Sequence, residues 1–284
     1  MNNPQRIFMV GAGNVATHLA GALQAAGHRV VGVYSRTKKN AGRLASTLQC
    51  SAFTSLTDIP EADVYIFAVK DDALSALIAE LTPSDHALLL HTAGSVPMEV
   101  FEGQARHHGV LYPLQTFSRE CAVCFREIPC FIEASTEQAA QQLKLLAESV
   151  SSHVQWLDSD SRKYLHLAAV FACNFTNHCY TMAWQMLQER GVDPHVLLPL
   201  IDETARKVHR LSPAAAQTGP AVRWDTSVMQ RHLSLLKDQQ YAGALYQLMS
   251  NGIHTLVAGK QGENAVQDVS VSGQNKKNDS HDKL

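Results

Sequence analysis

Short apolar runs alternate, through the first half of the chain, with stretches in which apolar positions recur at helical spacing. Ile7 to Val10, Arg29 to Tyr34, Ser51 to Phe53, Asp63 to Val69 and His86 to His91 read as strands, each bounded by polar or turn-forming residues. Lys38 to Leu48 and a segment beginning near Asp72 read as helices between them. This alternation predicts a doubly wound, mostly parallel sheet. Strands at Gly109 to Tyr112, Pro129 to Glu133 and His153 to Leu157, with a helix from Glu137 to about Ser149, extend that α/β domain over residues 1–158.

From Ser159 the pattern turns helical. Ser159 to Arg190 reads as one long helix, capped by Ser159 or Asp160 and stopped by Gly191, and further helices are expected at about Pro194 to Leu211, Ser227 to Leu236 and Gln240 to Ala258. An all-α C-terminal domain over 159–259 follows. Residues 260–284 lack aromatic side chains and enough apolar surface to order themselves, so a disordered tail is expected there.

The long helix is mostly apolar, which predicts that it is buried. With about 100 degrees per residue and His166 at zero, Asn177, Thr181 and Asn174 fall at about 20, 60 and 80 degrees, one polar stripe. On a buried helix such a stripe must be hydrogen-bonded, either within the protein or to a ligand. In the second case His166 is a proton donor and Asn174 an amide that orients a substrate.

The chain's 284 residues, 45% of them hydrophobic, suffice for two domains. A formal charge of −2 and the lack of a basic patch with interleaved aromatics argue against nucleic acid as a partner. No apolar run reaches membrane-spanning length and no leader precedes the first strand, so a soluble, cytoplasmic protein is expected. The six cysteines are scattered, and Cys121 and Cys124 form a CxxC with Cys130 nearby. Without a second ligand pair at zinc spacing they are expected to be reduced, structural thiols.

Candidate chemistry begins where the first strand ends. Gly11, Ala12, Gly13, Asn14, Val15 and Ala16 form GxGxxA on a turn into a helix, followed within one βαβ unit by the second strand. Gly11 suits the tight turn, Gly13 lets the backbone approach a pyrophosphate, and the helix N-terminus offers amide donors to the anion. The domain is therefore Rossmann-like. In an NAD site an acidic residue near the end of the second strand holds the ribose hydroxyls. Here the strand runs instead into Ser35, Arg36, Thr37, Lys38 and Lys39. A carboxylate would repel a 2′-phosphate, whereas Ser35, Thr37 and Arg36 can donate to it, which points to NADP. Lys38 and Lys39 also read as a solvated helix start.

Two more strand ends should meet the Gly-rich turn at the sheet's switch point: Val69 with Lys70, and HTAGS (His91 to Ser95), which brings Thr92 and Gly94. HTAGS also reads as a plain turn, and His91 as a core histidine. YPLQTFS (Tyr112 to Ser118) adds Tyr112, Gln115 and Thr116, and TGPAVRWD (Thr218 to Asp225) adds Arg223 and Asp225. Arg223 binds a carboxylate substrate, or else Arg223 and Asp225 pair and cap the next helix.

MVGAGNVA, YSRT and IFAVKDD resemble the NADP-binding half of pyrroline-5-carboxylate reductase and of the deazaflavin-dependent NADP oxidoreductases, over roughly the first ninety residues. HTAGSVP, YPLQTFS, CNFTNH and TGPAVRWD look more like a narrower family of Rossmann-like proteins whose C-terminal helical domain has no established function. The resemblance implies a 6-phosphogluconate-dehydrogenase-like architecture, in which an NADP domain precedes a helical domain that builds the substrate cleft and a homodimer. β-Hydroxyacid dehydrogenases place a Lys four residues before an Asn, but here Lys163 is followed at that spacing by Leu167. The Ser/Gly/Pro-rich segment of a proline-forming reductase is also missing.

The expected function is an NADP(H)-dependent oxidoreductase acting on a small carbonyl, imine or hydroxy acid, with His166 or Tyr112 handling the proton. The alternative is a non-catalytic NADP-binding sensor or scaffold, and a deazaflavin as hydride partner stays open.

Overall fold

A computed structural model describes residues 4–274, with side chains described through residue 259. The first half builds one sheet from β1 (Arg6–Val10), β2 (Arg29–Tyr34), β3 (Ser51–Phe53), β4 (Val64–Phe67), β5 (Leu88–His91), β6 (His107–Pro113), β7 (Cys130–Ala134) and β8 (Val154–Trp156). Their order across the sheet is β3-β2-β1-β4-β5-β6-β7-β8. All neighbours pair in parallel except β6 and β7, which are antiparallel with Tyr112 opposite Phe131. Helices α1 (Asn14–Ala25), α2 (Lys38–Leu48), α3 (Asp71–Ala79) and α4 (Glu137–Val150) connect and cover the strands.

Helices cover both faces, so the central strands are apolar on both sides rather than alternating with polar residues. Ile7, Met9, Val64, Ile66, Leu88 and Leu90 face α1, α2 and α4 in one core. Their alternates Phe8, Val10, Tyr65, Phe67 and Leu89 face α3 and Phe101 in the other. The mostly parallel, doubly wound sheet expected from the sequence is the one observed.

The long helix differs from expectation in three ways. Its N-cap is Asp158, whose carboxylate accepts from the Ser161 amide at 2.7 Å, rather than Ser159 or Asp160. It is interrupted: α5 (Ser159–Ala169) leads through a π-helical turn, Val170–Phe175, into α6 (Thr176–Gln188). Finally, it is not buried. Tyr164, Leu167, Phe171 and Phe175 are all at least half exposed. Apolar composition promised a buried helix, but the described chain supplies no second layer over this face.

The chain divides into two compact units after Asn177, so α5 and the π turn belong with the sheet rather than beginning a new unit at 159. The second unit continues with a 3-10 turn, Pro194–Leu197, then α7 (Leu198–Lys207), α8 (Pro213–Ala216), α9 (Pro220–Arg223), α10 (Thr226–Leu235) and α11 (Gln240–Gln274). The helix expected over 194–211 is thus shorter, because its first turn is 3-10 and its last residues leave the helix. The backbone of α11 runs past Ala258 into the stretch expected to be a disordered tail, as elongation adds a hydrogen bond per residue once a helix exists. Residues 275–284 of that stretch lie outside the described residues.

What fixes α5 is a buried polar cluster. Arg162, 1% exposed, ion-pairs through Nη1 with the Glu133 carboxylate on β7 and donates through Nη2 to the Val96 carbonyl at 2.6 Å and to Ser159 Oγ at 3.1 Å. Glu133 also accepts from the Ser159 amide at 3.0 Å and its hydroxyl at 2.7 Å, while Ser159 Oγ accepts from the Met98 amide at 3.0 Å. Helix start, strand β7 and the segment after β5 are thereby tied at one point. Removing one partner of a buried pair strands the other charge, at a cost of about 3–5 kcal/mol. Glu133→Ala should therefore lower the free energy of chemical unfolding by about that amount, and Glu133→Leu with Arg162→Met should recover part of it. A loss for Glu133→Ala within the roughly 0.5 kcal/mol typical of surface substitutions would refute this account of the cluster.

Candidate functional site

In the order β3-β2-β1-β4, the chain leaves β3 at one edge and re-enters beside β1, so the carboxyl ends of β1 and β4 flank the switch point where doubly wound sheets hold ligands. A cleft of about 600 Å³ opens there. Every residue lining it belongs to the first unit. The loops after β1, β2, β4, β5 and β6 all contribute, and backbone bonds hold these ends in step: Gly11 N to Tyr34 O at 2.9 Å, Ala68 N to Val10 O at 2.8 Å and Thr92 N to Phe67 O at 3.1 Å.

Gly11 sits at φ 125°, and a Cβ there would lie 2.2 Å from the Ala68 carbonyl oxygen. Only glycine lets β1 turn this close to the end of β4. Gly13, at the N-cap of α1, contrasts with it: a Cβ there would meet nothing within 4 Å. Protein packing does not require that glycine, so the space before it is open to a ligand. No side chain caps α1 and no acidic residue lies in its first turn. The positive end of the helix thus faces the cleft uncompensated by the chain itself.

Ser35 and Arg36 line the cleft after β2, as do Val69 and Lys70 after β4, Thr92 and Gly94 after β5, and Asn14 and Val15 on α1. Thr37 does not; it is the N-terminal flanking residue of α2, and Asn40 lines the cleft from that helix's first turn instead. Arg36 and Lys70 form no ion pair among the described residues. The one carboxylate in the lining, Asp71, accepts a hydrogen bond from the Ser95 hydroxyl.

At the other end of the cleft, Tyr112 at the end of β6 and His166 on α5 meet through Tyr112 Oη and His166 Nδ1 at 3.0 Å. Their rings stand edge to face with centroids 6.0 Å apart. His166 rests on Gly94, where any Cβ would fall 2.6 Å from its ring. A side chain at 94 would drive the imidazole out of position. Burial pushes the Tyr112 hydroxyl above the usual tyrosine range, with the charge of Arg162 pulling the other way, so Tyr112 carries its proton through neutral pH.

Asn174 is not brought to the cleft. It lies exposed within the π turn, where the constant 100-degree step that placed it and Asn177 on the face of His166 does not carry through. His91 is a core residue. It is fully buried, stacked on Phe101 with centroids 5.7 Å apart, and accepts from the Ala93 amide at 3.2 Å. Burial and the nearby Arg162 charge lower its pKa to about 3, which keeps it neutral. In the second unit, Asp225 caps α10 by accepting from the Val228 amide at 3.2 Å and the Ser227 hydroxyl at 2.9 Å, without an ion pair to Arg223. Cys121 and Cys124 are exposed free thiols, and no cluster of metal ligands occurs among the described residues.

Sequence reasoning missed Arg119, which lines the cleft and donates to the Ala12 carbonyl at 2.7 Å. It follows directly on YPLQTFS, but no local pattern links it to a turn 107 positions earlier. The Glu133–Ser159–Arg162 cluster was missed for the same reason.

Residues 6–93 match the family described as NADP oxidoreductase coenzyme F420-dependent, and residues 128–253 match a domain of unknown function, DUF2520. No curated protein matches. Among solved structures, the chain is 47% identical to a "putative NADP oxidoreductase" of Bacteroides fragilis, covering 89% of this chain and 98% of that one with a TM-score of 0.84. It shares its fold with 1-pyrroline-5-carboxylate reductase of Streptococcus pyogenes, at 11% identity, 89% and 100% coverage and a TM-score of 0.59. The same holds for a reductive aminase of Aspergillus terreus in complex with NADPH and ethyl levulinate, at 15% identity, 90% and 95% coverage and a TM-score of 0.67. The chain thus joins a segment matching the F420-dependent NADP oxidoreductase model to one matching DUF2520, and it belongs to the family of NADP oxidoreductase-like proteins represented by the Bacteroides fragilis structure.

Proposed function

We propose that the protein is an NADP(H)-dependent oxidoreductase that reduces small carbonyl or imine compounds with NADPH, or oxidises small hydroxy acids with NADP+. The observation that carries this reading is that one cleft joins the open Gly-rich turn and Arg36 at one end to the Tyr112–His166 pair at the other. Across the sheet the strand ends run β2, β1, β4, β5, β6. Along that line the chemistry passes from the cation and hydroxyl at Arg36 and Ser35, through the amides of the turn, to Tyr112. An extended NADP(H) has the same order: phosphorylated adenosine, diphosphate, nicotinamide.

When bound, the reduced nicotinamide supplies the hydride. The chain's own residues do the rest. Gly11 and Gly13 admit the diphosphate, Val69 and Lys70 border its path, and Thr92 and Gly94 floor the nicotinamide end. Tyr112 holds a proton for the substrate nitrogen or oxygen that gains charge as hydride adds to the neighbouring carbon. His166, only partly buried and bonded to Tyr112 through Nδ1, restores that proton from solvent. Positioning of the two reactants contributes the larger part of the acceleration. Thr37 and Asn174 have no part in this scheme. The six cysteines are free and no described helix is long and apolar enough to cross a membrane.

The protein is further proposed to be a homodimer through its helical half. Leu198 and Leu200 on α7, Leu235 on α10, and Leu248 and Leu256 on α11 are each 43% exposed or more. A soluble chain rarely leaves so much large apolar surface in water. Sedimentation equilibrium should give twice the chain mass of 31.1 kDa. A single 31.1 kDa species at micromolar concentration would sink the dimer.

The cofactor assignment is tested by calorimetric titration. One charge-assisted hydrogen bond contributes about 1.5–3 kcal/mol, so Arg36→Ala should weaken NADPH roughly ten- to 150-fold and leave NADH nearly unchanged. Equal loss of both nucleotides would remove the 2′-phosphate from the account.

The proton route is tested on a panel of small cyclic imines and ketones with NADPH. Tyr112→Phe should lower kcat by about a hundred- to ten-thousand-fold with little change in KM. Because the hydroxyl is raised above its ordinary range, the wild-type rate should decline only on the alkaline side of about pH 10, and this limb should vanish in the variant. Full activity in Tyr112→Phe would assign the proton elsewhere.

A further inference from the structure

The loop that leaves β6 returns across the Gly-rich turn and is fastened to it from three side chains. Asn14 Nδ2 donates to the Phe117 carbonyl at 2.8 Å, and Arg119 Nη2 donates to the Ala12 carbonyl at 2.7 Å. His18 Nε2 meets the Ser118 carbonyl at 2.9 Å, donating in the tautomer protonated there. Phe117 adds a ring contact on each side, stacked on His18 at 5.3 Å and on Phe125 at 6.0 Å. The loop is therefore held in place by polar bonds and by packing that do not depend on Arg119 alone.

Arg119 does more than a latch requires. A guanidinium carries five donors, and the Ala12 carbonyl takes one. Among the described residues it has no other hydrogen bond and no carboxylate within ion-pair distance. The residue is exposed overall, yet it borders the same cleft as Gly11 and Gly13, where the missing Cβ of Gly13 leaves open space. A cation pinned beside uncapped helix amides, with most of its donors unspent and no ion pair of its own among the described residues, matches a ligand bearing a doubly charged phosphate pair.

We infer that Arg119 is a diphosphate-binding residue: its bond to Ala12 anchors the guanidinium, and its remaining donors take oxygens of the dinucleotide's diphosphate. The inference rests on the NADP(H) reading of the cleft. It separates the work of two arginines, because Arg36 follows β2 whereas Arg119, on the loop after β6, is bonded to the turn after β1. Arg36 answers to the 2′-phosphate and Arg119 to the diphosphate.

Two probes distinguish them: NADPH, which has both groups, and adenosine 2′-monophosphate, which lacks the diphosphate. In calorimetric titrations of the full chain, Arg119→Ala should weaken NADPH about ten- to 150-fold and leave adenosine 2′-monophosphate unchanged, while Arg36→Ala weakens both. Arg119→Lys, which keeps the charge without the fork, should lie between wild type and Arg119→Ala for NADPH. Thermal unfolding of each variant checks that the exposed substitution leaves the fold intact. If wild type binds NADPH and Arg119→Ala binds it equally well, or loses both probes in the same proportion, Arg119 only organises the loop and the inference is overturned. If wild type binds no NADPH, the reading of the cleft fails, and this inference with it.

Discussion

Arg162 heads the largest fully buried side chains of the described structure, and the geometry of the cleft depends on how its charge is held. Taking a guanidinium and a carboxylate out of water costs several kcal/mol per ion, which only close, well-directed hydrogen bonds offset. Glu133, Ser159 and the Val96 carbonyl supply them. The consequence is geometric. Glu133 stands on β7 two residues from Phe131, which pairs with Tyr112 on β6, so the same ladder that places Tyr112 places the anchor of α5. His166 lies one helical turn beyond Arg162 and meets Tyr112 at 3.0 Å. Neither residue's position is free once the ion pair forms.

The cluster also sets local electrostatics. The Arg162 charge acts on both His91 and Tyr112 and lowers the pKa of each, while burial lowers the first and raises the second. For His91 the two effects add, which is why this imidazole at the end of β5 stays neutral and serves packing. For Tyr112 they oppose, burial winning, so a protonated hydroxyl stays next to an imidazole without becoming a phenolate. Two ring systems close to one cation thus acquire different chemistry from environment alone.

The sheet and its Gly-rich turn were legible because they are local. Period and run length mark strands, and GxGxxA states a backbone requirement that Gly11 then meets at φ 125°. Tyr112 stood out as a polar residue at the end of a strand and His166 as part of a polar stripe on a helix, but their contact at 3.0 Å was not legible from either segment alone. Asn174 was not, because a regular helical phase was carried through a π turn that nothing in the apolar run VFACNF announces. Burial of the long helix was misjudged for a related reason: composition reports the need to bury apolar surface, not which surface covers it. Arg119 and the Arg162 cluster stayed hidden because their meaning lies in contacts between distant segments, Arg119 with Ala12 and Arg162 with Glu133 and Val96.

Direction in the proposed binding mode follows from topology. Five neighbouring strand ends span four inter-strand spacings, roughly 19 Å, and each contributes a different group to the cleft. Cations border it after β2, β4 and on the loop from β6, and no carboxylate pairs with Arg36, Lys70 or Arg119 among the described residues. Elsewhere Arg6, Lys144, Arg162, Lys163 and Arg206 all find carboxylates of their own. Three cations without ion pairs border the cleft against one carboxylate, Asp71, which leaves an excess of positive charge there on top of the dipole at α1. A polyanion entering that edge meets its counter-charges in a fixed order, ending at a neutral hydroxyl. The reverse orientation would set the 2′-phosphate against Tyr112 and an uncharged ring against Arg36, losing the charge-assisted bond that Arg36 offers.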